Sequence, residues 1–170
     1  KMQAKLVDLR KKWVAEKKYI PEAHTMKFRI GLNTGLAKVG FMGTDALASY
    51  TMMGDTVNLA ARLEAAGKDY GVSILASDAI YEKIKGRIFT RRIDVVRVKG
   101  KTQPVTLYQI ICPKGKEKDH HADFVDRYEK GLEAYLQRSW DTAIGYFNEA
   151  QQILNSSDKS SKLLIERCRS

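Results

Sequence analysis

The stretch of this chain best equipped for chemistry is Tyr50-Thr-Met-Met-Gly-Asp-Thr-Val-Asn-Leu-Ala-Ala-Arg-Leu-Glu64. Within it Asn58 and Arg62 stand four apart, one helical turn, so on a helix both side chains project from a single strip. An amide beside a guanidinium suits a ribose and a phosphate, because the planar guanidinium donates two parallel hydrogen bonds to phosphate oxygens. The same spacing is common on plain solvated helix faces, so the pair alone leaves both readings open. Further on, Lys99-Gly100-Lys101 puts two ammonium groups on one turn.

The elements that must hold these groups follow from periodicity. Gly54 and Asp55 mark a helix start, with the acid favoured by the positive end of the helix dipole. Val57, Leu59, Ala60 and Leu63 then form a broad apolar arc, and Asn58 and Arg62 fall outside it. Gly67 and Gly71 bracket the end of this helix. Upstream, Lys1 to Tyr19 reads as a helix with a packing stripe of Leu6, Leu9, Trp13 and Val14, closed by Pro21. Met26 to Thr34 alternates as a strand, and Leu36 to Phe41 reads as a second strand paired to it in a hairpin. Thr44 to Ser49 reads as a loop. Downstream come a strand at Val72 to Ala76, a short helix from Ser77 to Ile84, and strands at Arg87 to Val98 and Val105 to Cys112. The order is that of an α+β domain.

After Pro113 the composition turns polar and basic, as in a linker, and His120-His121 reads as part of it. A helical pair follows. Phe124, Tyr128, Leu132 and Tyr135 form one stripe; Trp140, Ala143, Ile144, Phe147, Ala150 and Ile153 form the other. Gly131, Ala143, Phe147 and Ala150 sit where a tetratricopeptide-like hairpin places small and aromatic residues, while Ala134 departs from that pattern. One such repeat must stack on something to bury its faces. A third helix starts near Asp158, with Leu163, Leu164 and Cys168 facing in. The expected domains are 1–112, a linker at 113–122 and a helical extension at 123–170, read as a scaffold or as a surface for a protein partner.

Composition narrows the classes. The 170 residues carry 30 Lys and Arg against 20 Asp and Glu, a formal charge of +10. The basic residues are scattered, as at Lys11-Lys12, Lys17-Lys18 and Arg91-Arg92, with no interleaved aromatics, which reads as a solvated face and no nucleic-acid partner. Two cysteines, Cys112 and Cys168, suit a reducing cytoplasm and no disulfide framework. No apolar run reaches the roughly 20 residues of a membrane span. The opening Lys-Met-Gln-Ala-Lys lies inside a helical pattern and reads as part of a longer protein, with an upstream sensor or membrane anchor left open.

The run Phe28-Arg-Ile-Gly-Leu-Asn-Thr-Gly35, Val39-Gly40, Tyr50 to Glu64, Val98-Lys-Gly-Lys101 and Val105-Thr-Leu-Tyr108 resembles the class III nucleotide cyclases. The motifs occur in the family's order and cover about two thirds of the chain. The resemblance implies an incomplete, ferredoxin-like α+β cyclase domain lacking its first strands, followed by the helical hairpin. It implies an adenylate cyclase, a phosphorus-oxygen lyase making 3′,5′-cyclic AMP and pyrophosphate from ATP in a bacterial signalling protein. The alternative is a non-catalytic dimerisation or nucleotide-sensing module of the same fold. Asn58 would orient the ribose, and Arg62 would stabilise charge at the α-phosphate. Thr51 would read the purine edge in favour of ATP. Lys99, or Lys101 beside it, would meet the outer phosphates. The family's two catalytic ions, Mg²⁺ or Mn²⁺, are held by aspartates that precede the first helix of this chain, and Asp45 and Asp55 match neither position. The resemblance therefore implies a homodimeric site, no metal ligands in this chain, and no turnover by the chain alone. A domain without its first strands is further expected to dimerise or swap elements to cover its edges.

Overall fold

The computed structural model describes residues 2–44, 46–97, 103–154 and 156–170. Lys99 and Lys101, and also Asp45, lie outside the described residues. The elements run α1 (Met2–Ala15), α2 (Pro21–His24), β1 (Ile30–Leu32), β2 (Lys38–Thr44), β3 (Leu47–Met53), α3 (Asp55–Tyr70), β4 (Ile74–Ser77), α4 (Asp78–Ile84), β5 (Ile88–Val96), β6 (Val105–Pro113), α5 (Asp119–Leu136), α6 (Trp140–Leu154) and α7 (Lys159–Arg169). The architecture is α+β, as the element order implies.

The central sheet has the order β1-β4-β6-β5, with β1 and β4 parallel and the other neighbours antiparallel. Parallel neighbours need a crossover between them. Here α3 supplies it, and β2 with β3 is inserted ahead of α3 as a separate antiparallel ribbon. The expected hairpin of β1 with β2 is therefore corrected: β2 pairs with β3, from Lys38 opposite Met53 to Thr44 opposite Leu47. The expected loop at Thr44 to Ser49 is largely strand. Every residue of β3 is exposed, so the ribbon has no core face and its sequence no reason to alternate.

The crossover helix packs by the predicted arc. Leu59, Leu63 and Tyr70 are buried at i, i+4 and i+11, with Gly67 between them. They meet Val72, Leu75, Ile93, Val105 and Leu107 from the sheet. Fully burying a Leu such as Leu63 contributes about 1.5–3 kcal/mol. Gly31 of β1 lies so close to α3 that a Cβ there would fall 2.0 Å from the Ala60 carbonyl oxygen. Only a bare backbone allows this approach of strand to helix. At the far end Gly71 takes a left-handed conformation, φ 68°, and ends the helix.

The first helix departs from expectation. None of its residues is buried; Leu6, Leu9 and Trp13 are half-buried, and Val14 is exposed. The stripe exists, but its neighbours are exposed or half-buried: Leu6 shares a groove with Met26 and Phe28, and the Trp13 ring meets Tyr19 edge-on at 5.2 Å.

The C-terminal helices form a second core around Phe124, Tyr128, Leu132, Phe147 and Leu164, joined by Phe89 and Ile111 of the sheet. A Cβ on Gly131 would meet the Phe147 ring at 2.8 Å, so the glycine lets α5 and α6 approach closely. His120 and His121 belong to the first turn of α5, not to a linker: the His121 Nδ1 accepts from the Lys118 N–H at 3.4 Å. Burial holds the His121 imidazole below its ordinary pKa.

Charged residues join this layer to the sheet. Arg91, read from sequence as solvated, has a side chain only 2% exposed. Its Nη1 and Nη2 donate to the two carboxylate oxygens of Asp158 at 3.0 and 3.1 Å, and its Nε donates to Gln109 at 2.9 Å. The guanidinium lies over Tyr128 and Phe124, 4.3 and 4.7 Å from their centroids. Nearby, Tyr70 at the end of α3 donates to Asp94, which also accepts from Arg167 of α7 at 2.7 Å. Burial, then the Asp94 carboxylate, raises the Tyr70 hydroxyl and keeps it a donor. The Ser160 hydroxyl and the Lys159 ammonium donate to the Tyr70 and Lys68 carbonyls at 2.8 and 2.7 Å. The helical extension thus grips both β5 and the end of the crossover helix.

Candidate functional site

The site is built on the first half of α3. Gly54 precedes the helix with φ 140°, a conformation that favours glycine. Its carbonyl accepts from the Val57 and Asn58 N–H groups at 3.1 and 3.0 Å, closing the first turn. Asp55 lies in that turn, where a negative charge is favoured. Asn58 and Arg62 are both exposed, and Leu59 and Leu63, one position further along, are buried. The predicted polar strip therefore exists and points away from the core.

Arg62 lines a groove of about 250 Å³ with Leu59, Ala66, Val96, Arg97 and Leu107. Val96 ends β5, and Arg97 leads directly into the segment that carries Lys99 and Lys101. The groove therefore opens where the guanidinium of α3 and the basic end of β5 converge. Two guanidinium groups on one groove make a surface suited to oxyanions. Thr51 is exposed on β3 opposite Gly40, three residues before the Gly54 turn. It thus lies on the strand that enters α3.

Sequence reasoning overlooked two residues. Arg97 belongs to the groove; its signal was a cation run after an apolar strand. Asn33, at the end of β1, is the other. Its Nδ2 donates to the Thr56 carbonyl at 3.0 Å, and its Oδ1 accepts from Ser77 at 2.7 Å. It ties the first turn of α3 to the ends of β1 and β4. Ser77 was expected to cap α4, but its hydroxyl is engaged with Asn33 and makes no cap hydrogen bond. An amide at the end of an apolar strand was the available hint.

Among the described residues, the carboxylates at this end do not make a donor set for a pair of divalent ions. Asp55 stands in the helix turn, and among the described residues no three His, Cys, Asp or Glu side chains converge on one point. Divalent ions of catalytic sites are held by converging oxygen ligands. No helix among the described residues is long and apolar enough to cross a membrane.

Comparison with known proteins gives a consistent result. The family model for the adenylate and guanylate cyclase catalytic domain matches residues 1–112. The terminal-differentiation specific adenylate cyclase of Dictyostelium discoideum is 32% identical over 82% of this chain, which spans 7% of that protein. Adenylate cyclase 1 of Rhizobium meliloti is 40% identical over 54% of this chain, which spans 13% of it. Among solved structures, the adenylyl cyclase CyaB from P. aeruginosa is similar with a TM-score of 0.54 and 35% identity. The match covers 69% of this chain and 57% of that one. The chain thus spans only part of the length of the relatives it matches.

Proposed function

This chain belongs to the adenylate and guanylate cyclase catalytic-domain family, and on that premise we propose that it carries the nucleotide-facing helix of an adenylate cyclase converting ATP to 3′,5′-cyclic AMP and pyrophosphate. The observation that carries the reading is the polar strip of α3: Asn58 and Arg62 exposed, with Arg62 on the groove that leads to the basic end of β5. In the reaction the ribose 3′-oxygen bonds to the α-phosphorus, the bond to the pyrophosphate oxygen breaks, and the hydroxyl proton is released. Such a transfer depends mainly on positioning and on stabilising charge. Asn58 orients the ribose, and Arg62 stabilises the charge gathering on the α-phosphate oxygens. Lys99, or Lys101 as its alternative, neutralises the outer phosphates. Thr51 accepts from the adenine exocyclic amine, and its hydroxyl is suited to that role. Mg²⁺ or Mn²⁺ in the complete enzyme would need ligands beyond the donor set described above, so no step is assigned to this chain through a metal.

Two outcomes are expected in one assay. The complete protein makes cyclic AMP from ATP at least tenfold faster than cyclic GMP from GTP, while the 170-residue chain alone makes neither with Mg²⁺ or Mn²⁺. Clear turnover by the chain alone, or a preference for GTP, would refute the corresponding assignment.

The proposal includes a homodimer. Val39, Phe41, Tyr50 and Met52 share one face of the β2–β3 ribbon, with Val39 opposite Met52 and Phe41 opposite Tyr50; they are 54, 77, 67 and 58% exposed, a large apolar surface for a lone subunit. The same surface supports the rival reading, a dimerisation module without catalysis. Sedimentation is expected to show a dimer that weakens when Phe41 and Tyr50 are both replaced by serine. A monomer at tens of micromolar would contradict it.

A further inference from the structure

A second cleft, of about 460 Å³, opens on the other side of the molecule between α4, the β5–β6 pair and α5. We propose that it is a binding site for a small multivalent oxyanion, a phosphate or polycarboxylate compound. Three cations line it: Lys85 at the end of α4, Arg92 of β5 and Lys114 just after β6. Glu129 of α5 is the one carboxylate among the lining residues.

The cations are not fully committed. The Arg92 Nε is buried and has no hydrogen-bond partner among the described residues, so the guanidinium keeps an unused donor. Its Nη2 donates at 3.3 Å to Glu133, whose side chain is 65% exposed. Lys85 pairs with Glu82, also exposed. Exposed pairs of this kind are weak and exchange readily. The ammonium of Lys114 has no carboxylate partner among the described residues.

The backbone is shaped to aim Arg92 here. A bulge between Arg92 and Asp94 interrupts the pairing with β6, and bulges re-aim side chains beside sites. The Arg92 N–H donates to Glu129 at 2.7 Å, which fixes the bulge to α5. Burial raises the Glu129 carboxyl above its ordinary pKa, and one of its oxygens is already engaged by the Arg92 N–H. Tyr81 and Tyr108 form one wall, stacked with centroids 3.9 Å apart and planes 2° from parallel. Burial raises the Tyr108 phenol, so it stays a protonated donor. The walls come from both the cyclase part and the helical extension. Occupancy therefore ties the position of α5 to β5.

The test titrates the 170-residue chain with pyrophosphate, inorganic phosphate and citrate by calorimetry, at constant ionic strength with sodium chloride as control. One saturable site is expected for pyrophosphate or citrate, with Kd below ~1 mM. Pyrophosphate alone would assign the phosphate class, and citrate alone the polycarboxylate class. Lys114→Ala, at an exposed position, is expected to weaken binding at least tenfold, and Arg92→Gln likewise. Glu133→Gln is expected to tighten it, by releasing Arg92. Arg62→Ala separates this site from the cyclase groove and is expected to leave binding unchanged. The proposal is overturned if none of the anions saturates. It is overturned equally if Arg62→Ala abolishes binding while Lys114→Ala does not.

Discussion

Replacing Arg62 by alanine in the full-length protein is expected to lower turnover of ATP by a hundredfold or more. The transition state of the cyclisation concentrates charge on oxygens around the α-phosphorus. A guanidinium placed for that charge contributes on the order of 3 kcal/mol, the equivalent of about two decades in rate. Truncation should not unfold the helix, because Arg62 is exposed, the buried partners Leu59 and Leu63 remain, and alanine is the best helix former. The loss should therefore fall on kcat, with the melting temperature close to that of the parent. Arg62→Lys should recover part of the rate, because it restores a charge without the two-pronged geometry. Steady-state kinetics on purified variants decides the matter. A loss below threefold in Arg62→Ala would remove the residue from the mechanism.

The legibility of that residue has a physical basis. Helix α3 buries one face against the sheet, so its period is written in Leu59, Leu63 and Tyr70, and the exposed strip holding Asn58 and Arg62 is what remains. Where an element has no buried face, the sequence carries no such record. Strand β3 is exposed throughout, and its first residues fall in the stretch Thr44 to Ser49 that reads as a loop. The stripe on α1 was read correctly as a pattern and wrongly as a packed core, since pattern does not say whether a partner surface is present. Pairings between distant residues were also silent. Asn33 contacts Ser77, 44 positions away, and nothing local marks the contact. In the sequence Arg91 and Arg92 read alike, as part of a solvated face. Strand geometry sends them to different fates: Arg91 is buried against the extension, and Arg92 lines a cleft with its Nε unsatisfied.

The fate of Arg91 sets the largest expected change in stability. Asp158 is its carboxylate partner and also the N-cap of α7, accepting from the Ser161 N–H at 2.9 Å. Asp158→Ala therefore does two things at once. It leaves a guanidinium buried with no counter-charge, which costs about 3–5 kcal/mol. It also removes a helix cap, worth typically ~1 kcal/mol. Gln109 and Ser160 still accept from Arg91, at 2.9 and 3.4 Å, but neither supplies charge. Asp158→Asn keeps a capping oxygen and should lose about 1 kcal/mol less than the alanine variant. Replacing Arg91 with methionine in the Asp158→Asn background should restore much of the loss, because the slot between Phe124 and Tyr128 is apolar and no charge then needs a partner. Urea unfolding of the parent, Asp158→Asn, Arg91→Met and the double variant forms a double-mutant cycle that isolates the coupling. Because domains are stable by only about 5–15 kcal/mol, the alanine variant should melt at a much lower temperature than the parent, with α5 to α7 released from β5. A cost below ~1 kcal/mol for Asp158→Ala would place this pair with the weak surface bridges and deny it the role of fastening the extension to the sheet.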